Sequence, residues 1–210
     1  MSAADFPAGF FDRADAAPDS VFYGPARLVT HIDDGAIAAV GDLYAELGFD
    51  GDAPQPTRVL DLMSSWVSHF RRPPAELVVL GMNAEELRAN AAATDIVVQD
   101  LNRNPQLPFV DADFDAVTCC VSIDYLVQPI AVLTEAARVL RPGGVVAITF
   151  SNRCFPTKAV RGWLNTDDHG HCAIVKEFLR QAGGFSEATA VLRTSSGDPL
   201  YAVTARRESA

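Results

Sequence analysis

Apolar residues along this chain follow two rhythms, one with a period near 3.6 and one with a period near two. Across 27–47, RLVTHIDDGAIAAVGDLYAEL sets Val29, Ile32, Ala36, Ile37, Val40, Leu43, Tyr44 and Leu47 at helical spacing. GFDGDAPQPT then interrupts with glycine and proline, the composition of a linker. Beyond it, strand-like and helix-like runs alternate. Strands are expected at 58–62, 77–80, 96–98, 114–121, 145–150, 191–194 and 200–205. Helical runs are expected at 66–71 (a short start), 85–92, 129–140 (opened by Pro129) and 173–182 (closed by Gly183 and Gly184). Residues 1–20, rich in Ala, Asp and Pro, predict an irregular or mobile arm.

Strands that alternate with helices predict an α/β fold, a doubly wound, mostly parallel sheet covered on both faces. Only a Ser-Gly-Asp-Pro turn separates the last two strands, so they are expected to pair antiparallel. The division expected is 1–56 as an N-terminal arm and helical lid, and 57–210 as the α/β domain. Sheets of this kind bind ligands beyond the carboxyl ends of their strands, where the strand order reverses.

Composition narrows the partners. A formal charge of −10, from 27 acidic against 17 basic residues, repels phosphate backbones, and no basic cluster offsets it. Nucleic acid is thereby disfavoured, and a small molecule or a protein surface is favoured. The first residues lack the basic-then-apolar pattern of a secretion signal, and no apolar run is long enough to span a bilayer. Cys119, Cys120, Cys154 and Cys172 show no metal spacing and read as reduced thiols of a cytoplasmic protein. DDHGHC (167–172) gathers Asp167, His169, His171 and Cys172 but matches no standard zinc spacing. No metal is expected there. A loop beside the substrate entrance is expected, with His169 or His171 available as a base.

FDAVTCCVSIDYL followed by PIAVLTEAARVLRPGGVVAITF carries the most specific pattern. A strand opening Phe-Asp-Ala-Val, a helix with Glu-x-x-Arg-Val-Leu, and Arg-Pro-Gly-Gly before an apolar strand resemble the central block of class I S-adenosylmethionine-dependent methyltransferases, nearest the type 11 group. The resemblance implies a Rossmann-like seven-stranded sheet with an antiparallel C-terminal strand and S-adenosylmethionine as methyl donor. It also implies a small-molecule acceptor, no nucleic-acid or membrane partner, and a monomer or homodimer.

That family carries Asp-x-Gly-x-Gly-x-Gly after its first strand. Aligned on Asp61, the glycine positions here hold Met63, Ser65 and Val67. A non-glycine residue in a left-handed conformation costs roughly 1–2 kcal/mol, so a differently shaped turn is expected. Ser64, Ser65 and Trp66 would then hold the methionine tail at a helix N-terminus, or serve only as cap and core. By the same resemblance Asn83 stands where an acid takes the ribose hydroxyls, or it caps the following helix. Asp100 matches the acid that accepts from the adenine amino group, with Leu101 beside the ring and Gln99 less certain, or it is an isolated turn residue. Val121 and Ser122 fall at the methionine end.

Catalytic candidates are Asp124 and Tyr125 after the fourth strand, with Tyr23 and His31 from the lid, which also carries Arg27. Asn152, Arg153, Lys158 and His171 are substrate-side candidates. Each has a plain alternative: Tyr125 as core, Arg153 and Lys158 as solvated charges, His31 as a surface or core histidine. A methyl transfer enzyme and a non-catalytic binder on the same fold both fit. A short-chain oxidoreductase does not, since Gly-x-x-x-Gly-x-Gly and Tyr-x-x-x-Lys are missing.

Overall fold

A computed structural model of the chain describes residues 6–55 and 57–209. Residues 1–5 of the expected arm, and Pro56 at the edge of the expected division, lie outside the described residues. Seven strands form one sheet: β1 (Arg58–Leu62), β2 (Glu76–Gly81), β3 (Asp95–Val98), β4 (Phe114–Cys120), β5 (Leu140–Phe150), β6 (Thr189–Thr194) and β7 (Leu200–Arg206). The order is β3-β2-β1-β4-β5-β7-β6. Neighbours from β3 through β5 are parallel, and β7 runs antiparallel to both β5 and β6. The order reverses between β1 and β4, which opens a crevice at their carboxyl ends.

Strand alternation divides the core in two. Leu60, Val78, Val117, Val146 and Val203 face one side, where α4 (Pro129–Val139) and α6 (Asp168–Ala182) cover them with Val132, Leu133, Ala136, Val175 and Phe178. Val59, Leu77, Val79, Ala116 and Ala147 face the other, under Ala36, Val40, Leu43 and Tyr44 of α2 (Asp34–Glu46) and Leu87 of α3 (Ala84–Ala89). The central strands β1, β2, β4 and β5 are therefore buried on both faces, as parallel strands require, while β3 and β6 at the edges are more exposed. Arg-Pro-Gly-Gly forms the irregular beginning of β5, with Gly143 at φ +80° supplying its bend.

The helical N-terminus is present, but its helix is shorter than the periodicity predicts. α2 begins at Asp34, capped by Asp33, whose carboxylate accepts from the Ala36 amide. Residues 23–33 form neither helix nor strand, and α1 (Asp19–Phe22) precedes them. No helix follows β1, against expectation. Prolines 73 and 74 leave that segment little length, and its polar groups find partners elsewhere: Asn90 donates to the Ser65 carbonyl and to the Ser68 hydroxyl. The same side chain ends α3 at Ala89, short of the expected 92, by accepting from the Ala92 amide. DDHGHC is the first turn of α6 rather than a loop, because the Asp167 carboxylate caps it through the Gly170 amide.

The arm is irregular as expected, yet firmly packed. Phe6, Phe10 and Phe11 cluster on Phe178 of α6. Beyond them lies a buried ion cluster. Arg13 donates to both Asp19 oxygens at 2.8 and 2.9 Å. The Lys158 ammonium, wholly buried, meets Asp15 at 3.0 Å, Asp19 at 3.1 Å and the Ala17 carbonyl at 3.0 Å. Asn102 adds a donor to Asp19 at 2.9 Å. Burial raises the Asp19 carboxyl, but the bonds from Arg13, Asn102 and Lys158 outweigh it and hold the group below its ordinary value.

Asp19→Asn leaves two buried or half-buried cations short of a counter-charge, and the expected loss is about 3 kcal/mol at pH 7 by urea denaturation. A lowered folded pKa stabilises above the ordinary carboxylate range and ceases to do so as pH falls through the folded value. The difference between wild type and variant should therefore vanish in that acidic window.

Candidate functional site

A cavity of about 550 Å³ lies in the crevice beyond β1, β2, β3, β4 and β5. Its floor is Asp61, the fourth residue of β1, which is fully withdrawn from bulk water. One carboxylate oxygen accepts from the Thr118 hydroxyl of β4 at 2.8 Å, and the other from Ser64 at 2.7 Å. Burial raises its pKa, and the hydroxyls of Ser64, Ser68 and Thr118 oppose that rise. Cys120 at the end of β4 is pushed up to about 12 by burial and is no thiolate.

Four non-glycine residues among those described have left-handed backbones, and three line this cavity: Met63 (φ 53°), His69 (φ 55°) and Val121 (φ 44°). Strain of this kind gathers where a site needs a backbone bent out of the ordinary. The expectation of a wholly different turn is thus corrected at its first position. Met63 keeps the left-handed conformation that glycine normally takes, whereas Ser65 and Val67 do not. The loop leans over β2, where the Ser64 amide donates to Leu80 and a Cβ on Gly81 would collide with the Ser64 carbonyl. Ser64 and Ser65 stand at no helix N-terminus, since no helix follows. An anion would meet loop amides there and no helix dipole.

An irregular strap, residues 23–33, crosses the cavity on hydrogen bonds from the segments that depart from the glycine pattern. The Asn83 amide donates to the carbonyls of Tyr23 at 3.1 Å and Gly24 at 2.9 Å. Its oxygen accepts from the amides of Glu85 and Glu86 as the cap of α3. Both polar atoms of the Asn83 side chain are therefore engaged. A carboxylate at this position could not donate to two carbonyls, which accounts for asparagine. The Trp66 indole donates to the Val29 carbonyl at 3.1 Å. Glu86 accepts from the Ser65 hydroxyl at 2.6 Å and the Arg27 amide at 2.7 Å.

At the β3 end, Asp100 and Leu101 line the cavity beside Gln99. One Asp100 oxygen accepts from the Asn102 amide. Gln99 instead donates to the carbonyls of Asn104 and Gln106 and shapes its own loop. Beyond β4, Val121, Ser122 and Tyr125 line the wall, and the Tyr125 hydroxyl accepts from the Phe155 amide at 2.9 Å. Asp124 sits behind that wall rather than in it. One of its oxygens has no partner, as is true of the buried Tyr23 hydroxyl. Burial lifts Asp124 to about 8, against its own backbone amide and the Tyr125 hydroxyl, so it is mostly protonated at neutral pH.

Tyr23, His31, Asn152 and Arg153 line the mouth together with Arg27. Lys158 and His171 do not. Lys158 is the buried cation of the arm cluster, and His171 stacks on Trp163 with ring centroids 3.9 Å apart and its Nε2 2.9 Å from the Trp163 carbonyl. Glu86 and His69 are among the lining residues that escaped the sequence reading. Glu86 follows Asn83 at capping-box spacing, a signal that was legible. Nothing in the alternation marks His69, whose place depends on its left-handed backbone. Among the described residues, no group of three or more His, Cys, Asp or Glu could hold a metal ion, and no helix is long and apolar enough to cross a membrane.

Residues 64–148 match the family model described as "Methyltransferase domain". A 56-residue stretch is 45% identical to a demethylmenaquinone methyltransferase of Mycobacterium sp. (strain KMS) and covers 25% of this chain. The chain spans 24% of the length of that relative. Among solved structures, the [4+2]-cyclase SpnF aligns over 91% of this chain and 92% of its own, with a TM-score of 0.58 and 18% identity. A SAM-dependent methyltransferase from Archaeoglobus fulgidus aligns over 81% and 94%, with a TM-score of 0.59 and 13% identity. At such identities the likeness is one of fold, and the cyclase shows that this fold serves more than one reaction.

Two consequences can be measured. Asn83→Asp removes both donors to the strap, and amide exchange across 23–31 should speed up by about tenfold while the sheet stays protected. Asp124, with a folded pKa raised to about 8, stabilises fully below the ordinary carboxylate value and loses that contribution as pH rises through 8. Melting curves should show wild type weakening across that window and Asp124→Asn holding level.

Proposed function

We propose that this chain, a class I methyltransferase-like protein of the type 11 group, binds S-adenosylmethionine in the β1–β4 crevice and passes its methyl group to a small-molecule acceptor. The observation that carries this reading is a single cavity with Asp61 at the end of β1, Asp100 just after β3 and the turn after β4 on its walls.

The donor set fits an adenosyl ligand with one exchange. Asp100 keeps an oxygen for the adenine amino group, with Leu101 against the ring. Asn83 has nothing left for ribose hydroxyls. Glu86, one helical turn further on and facing the same cavity, is the acid that takes them. Asp61, the loop backbone at Met63, Ser64, Ser65 and Trp66, and the turn at Val121 and Ser122 receive the methionine end. The bound cofactor supplies a methyl group activated by its positive sulfur. The chain contributes alignment and exclusion of water, with Tyr125, Tyr23 and His31 on the acceptor side and Asp124 behind them. Asn152 and Arg153 edge the acceptor's entrance. The net charge of −10 argues for a small acceptor over nucleic acid. Four free cysteines suit a reducing cytoplasm.

A second reading, a non-catalytic protein that uses the fold to bind a metabolite or a partner, is favoured by the strap that spans the cavity on four hydrogen bonds. Calorimetry with S-adenosylhomocysteine tests the cofactor reading. Binding is expected, and Asp100→Ala should weaken it about tenfold, the worth of one hydrogen bond to a charged acceptor. No heat and no thermal shift at millimolar ligand would end it. Protein-dependent release of S-adenosylhomocysteine from S-adenosylmethionine and metabolite extract then separates the enzyme from the binder.

A further inference from the structure

His31 and His69 line the same cavity, one on the strap and one on the loop after β1. Among the described residues neither imidazole has a hydrogen-bonding partner, whereas three carboxylates of the lining each have at least two. Asp61 is held by Ser64 and Thr118, Glu86 by Ser65 and the Arg27 amide, and Asp19 by Arg13, Lys158 and Asn102. His69 is kept at φ 55°, a conformation an unconstrained histidine seldom adopts, which turns it to this wall at a cost in strain. Beside the pair the cavity is lined by aromatic and apolar side chains, among them Trp66, Tyr125 and Phe155, the last in edge contact with His31.

We propose that His69, seconded by His31, recognises the acceptor through a phenolic hydroxyl and takes its proton during methyl transfer. This proposal rests on the methyl transfer reading above. An aromatic slot receives the ring, and a neutral imidazole nitrogen accepts from the hydroxyl. An ammonium acceptor would need a carboxylate beyond Asp61, Glu86 and Asp100, which the methyl transfer reading gives to the cofactor, and a carboxylate or phosphate acceptor would need a free cation. Arg27 is turned onto the Phe22 carbonyl and ring, and Arg153 faces Asp198. In the transfer, the phenolic oxygen forms its bond to the methyl carbon as the carbon–sulfur bond breaks and its electron pair stays on sulfur. The phenolic proton goes to His69 and leaves to solvent past His31, which is open to water at the mouth.

The charges around the pair suit neutral rings. Burial lowers both pKa values. For His69 the neighbouring His31 lowers it further, and for His31 Glu86 pulls upward while Arg27 pushes down. Acceptance should therefore persist through neutral pH and fail as pH falls through the lowered values.

The test uses 1-naphthol as probe with S-adenosylhomocysteine at saturation. His69→Asn tolerates the left-handed backbone, and His31→Gln lies on an unstrained segment, so at least one variant stays folded. Calorimetry should show naphthol binding weakened about tenfold by His69→Asn and less by His31→Gln, with affinity for S-adenosylhomocysteine unchanged. Wild-type naphthol binding should fall in acid together with the histidine Cε1–H shifts in NMR, and His69→Asn should remove that dependence. Equal naphthol affinity in wild type and both variants overturns the proposal. So does no naphthol binding in wild type, or tighter binding of 1-naphthylmethylamine. Naphthol binding that depends on His69, with no binding of S-adenosylhomocysteine, would keep the pair as a phenol site and discard methyl transfer.

Discussion

The buried ammonium of Lys158 is the constraint on which the site depends. An isolated cation taken out of water costs several kcal/mol, so it must be met by anions wherever the chain can bring them. Asp15 and Asp19 come from the arm, and Asp19 is itself held by Arg13 and by Asn102 of the loop after β3. One cluster thus joins the arm to the loops after β3 and β5. Because α1 starts at Asp19, it also fixes where the strap begins its crossing of the cavity. A hydrophobic plug would fill the same space without fixing any of these directions. Charge here specifies position more than it adds stability.

Once the strap is fixed in place, the departures from the glycine motif make sense as a group. Backbone carbonyls at Tyr23, Gly24 and Val29 need donors, and Asn83 and Trp66 supply them. The Arg27 amide needs an acceptor, and Glu86 supplies it while also holding Ser65. A loop of bare glycines with an acid at 83 would leave these strap groups unmet.

The central strands and the helices on the sheet were legible in the sequence because burial on both faces writes itself as apolar runs at the right spacing. Asp61, Asp100 and the turn after β4 were marked by resemblance to a family motif rather than by periodicity, and all three line the cavity. What could not be read depends on partners remote in sequence. The helix expected at 66–71 is absent because Asn90 and Val29 bond that segment's polar groups. Lys158 reads as a surface charge until Asp15 and Asp19 are brought to it, and His171 reads as a free base until it lies flat on Trp163. His69 enters the cavity through a backbone angle that no periodicity encodes.

The contact between Gly81 and the Ser64 carbonyl bears on how such proteins are found. Close approach of two chain segments demands that one of them lack a side chain, and it does not matter which. Here the strand carries the glycine, and the loop beside it carries side chains. A pattern keyed to glycines at fixed places in the loop passes over this arrangement, in which the strand supplies the room. A loop without glycine is therefore best weighed together with the residue on the strand that it crosses.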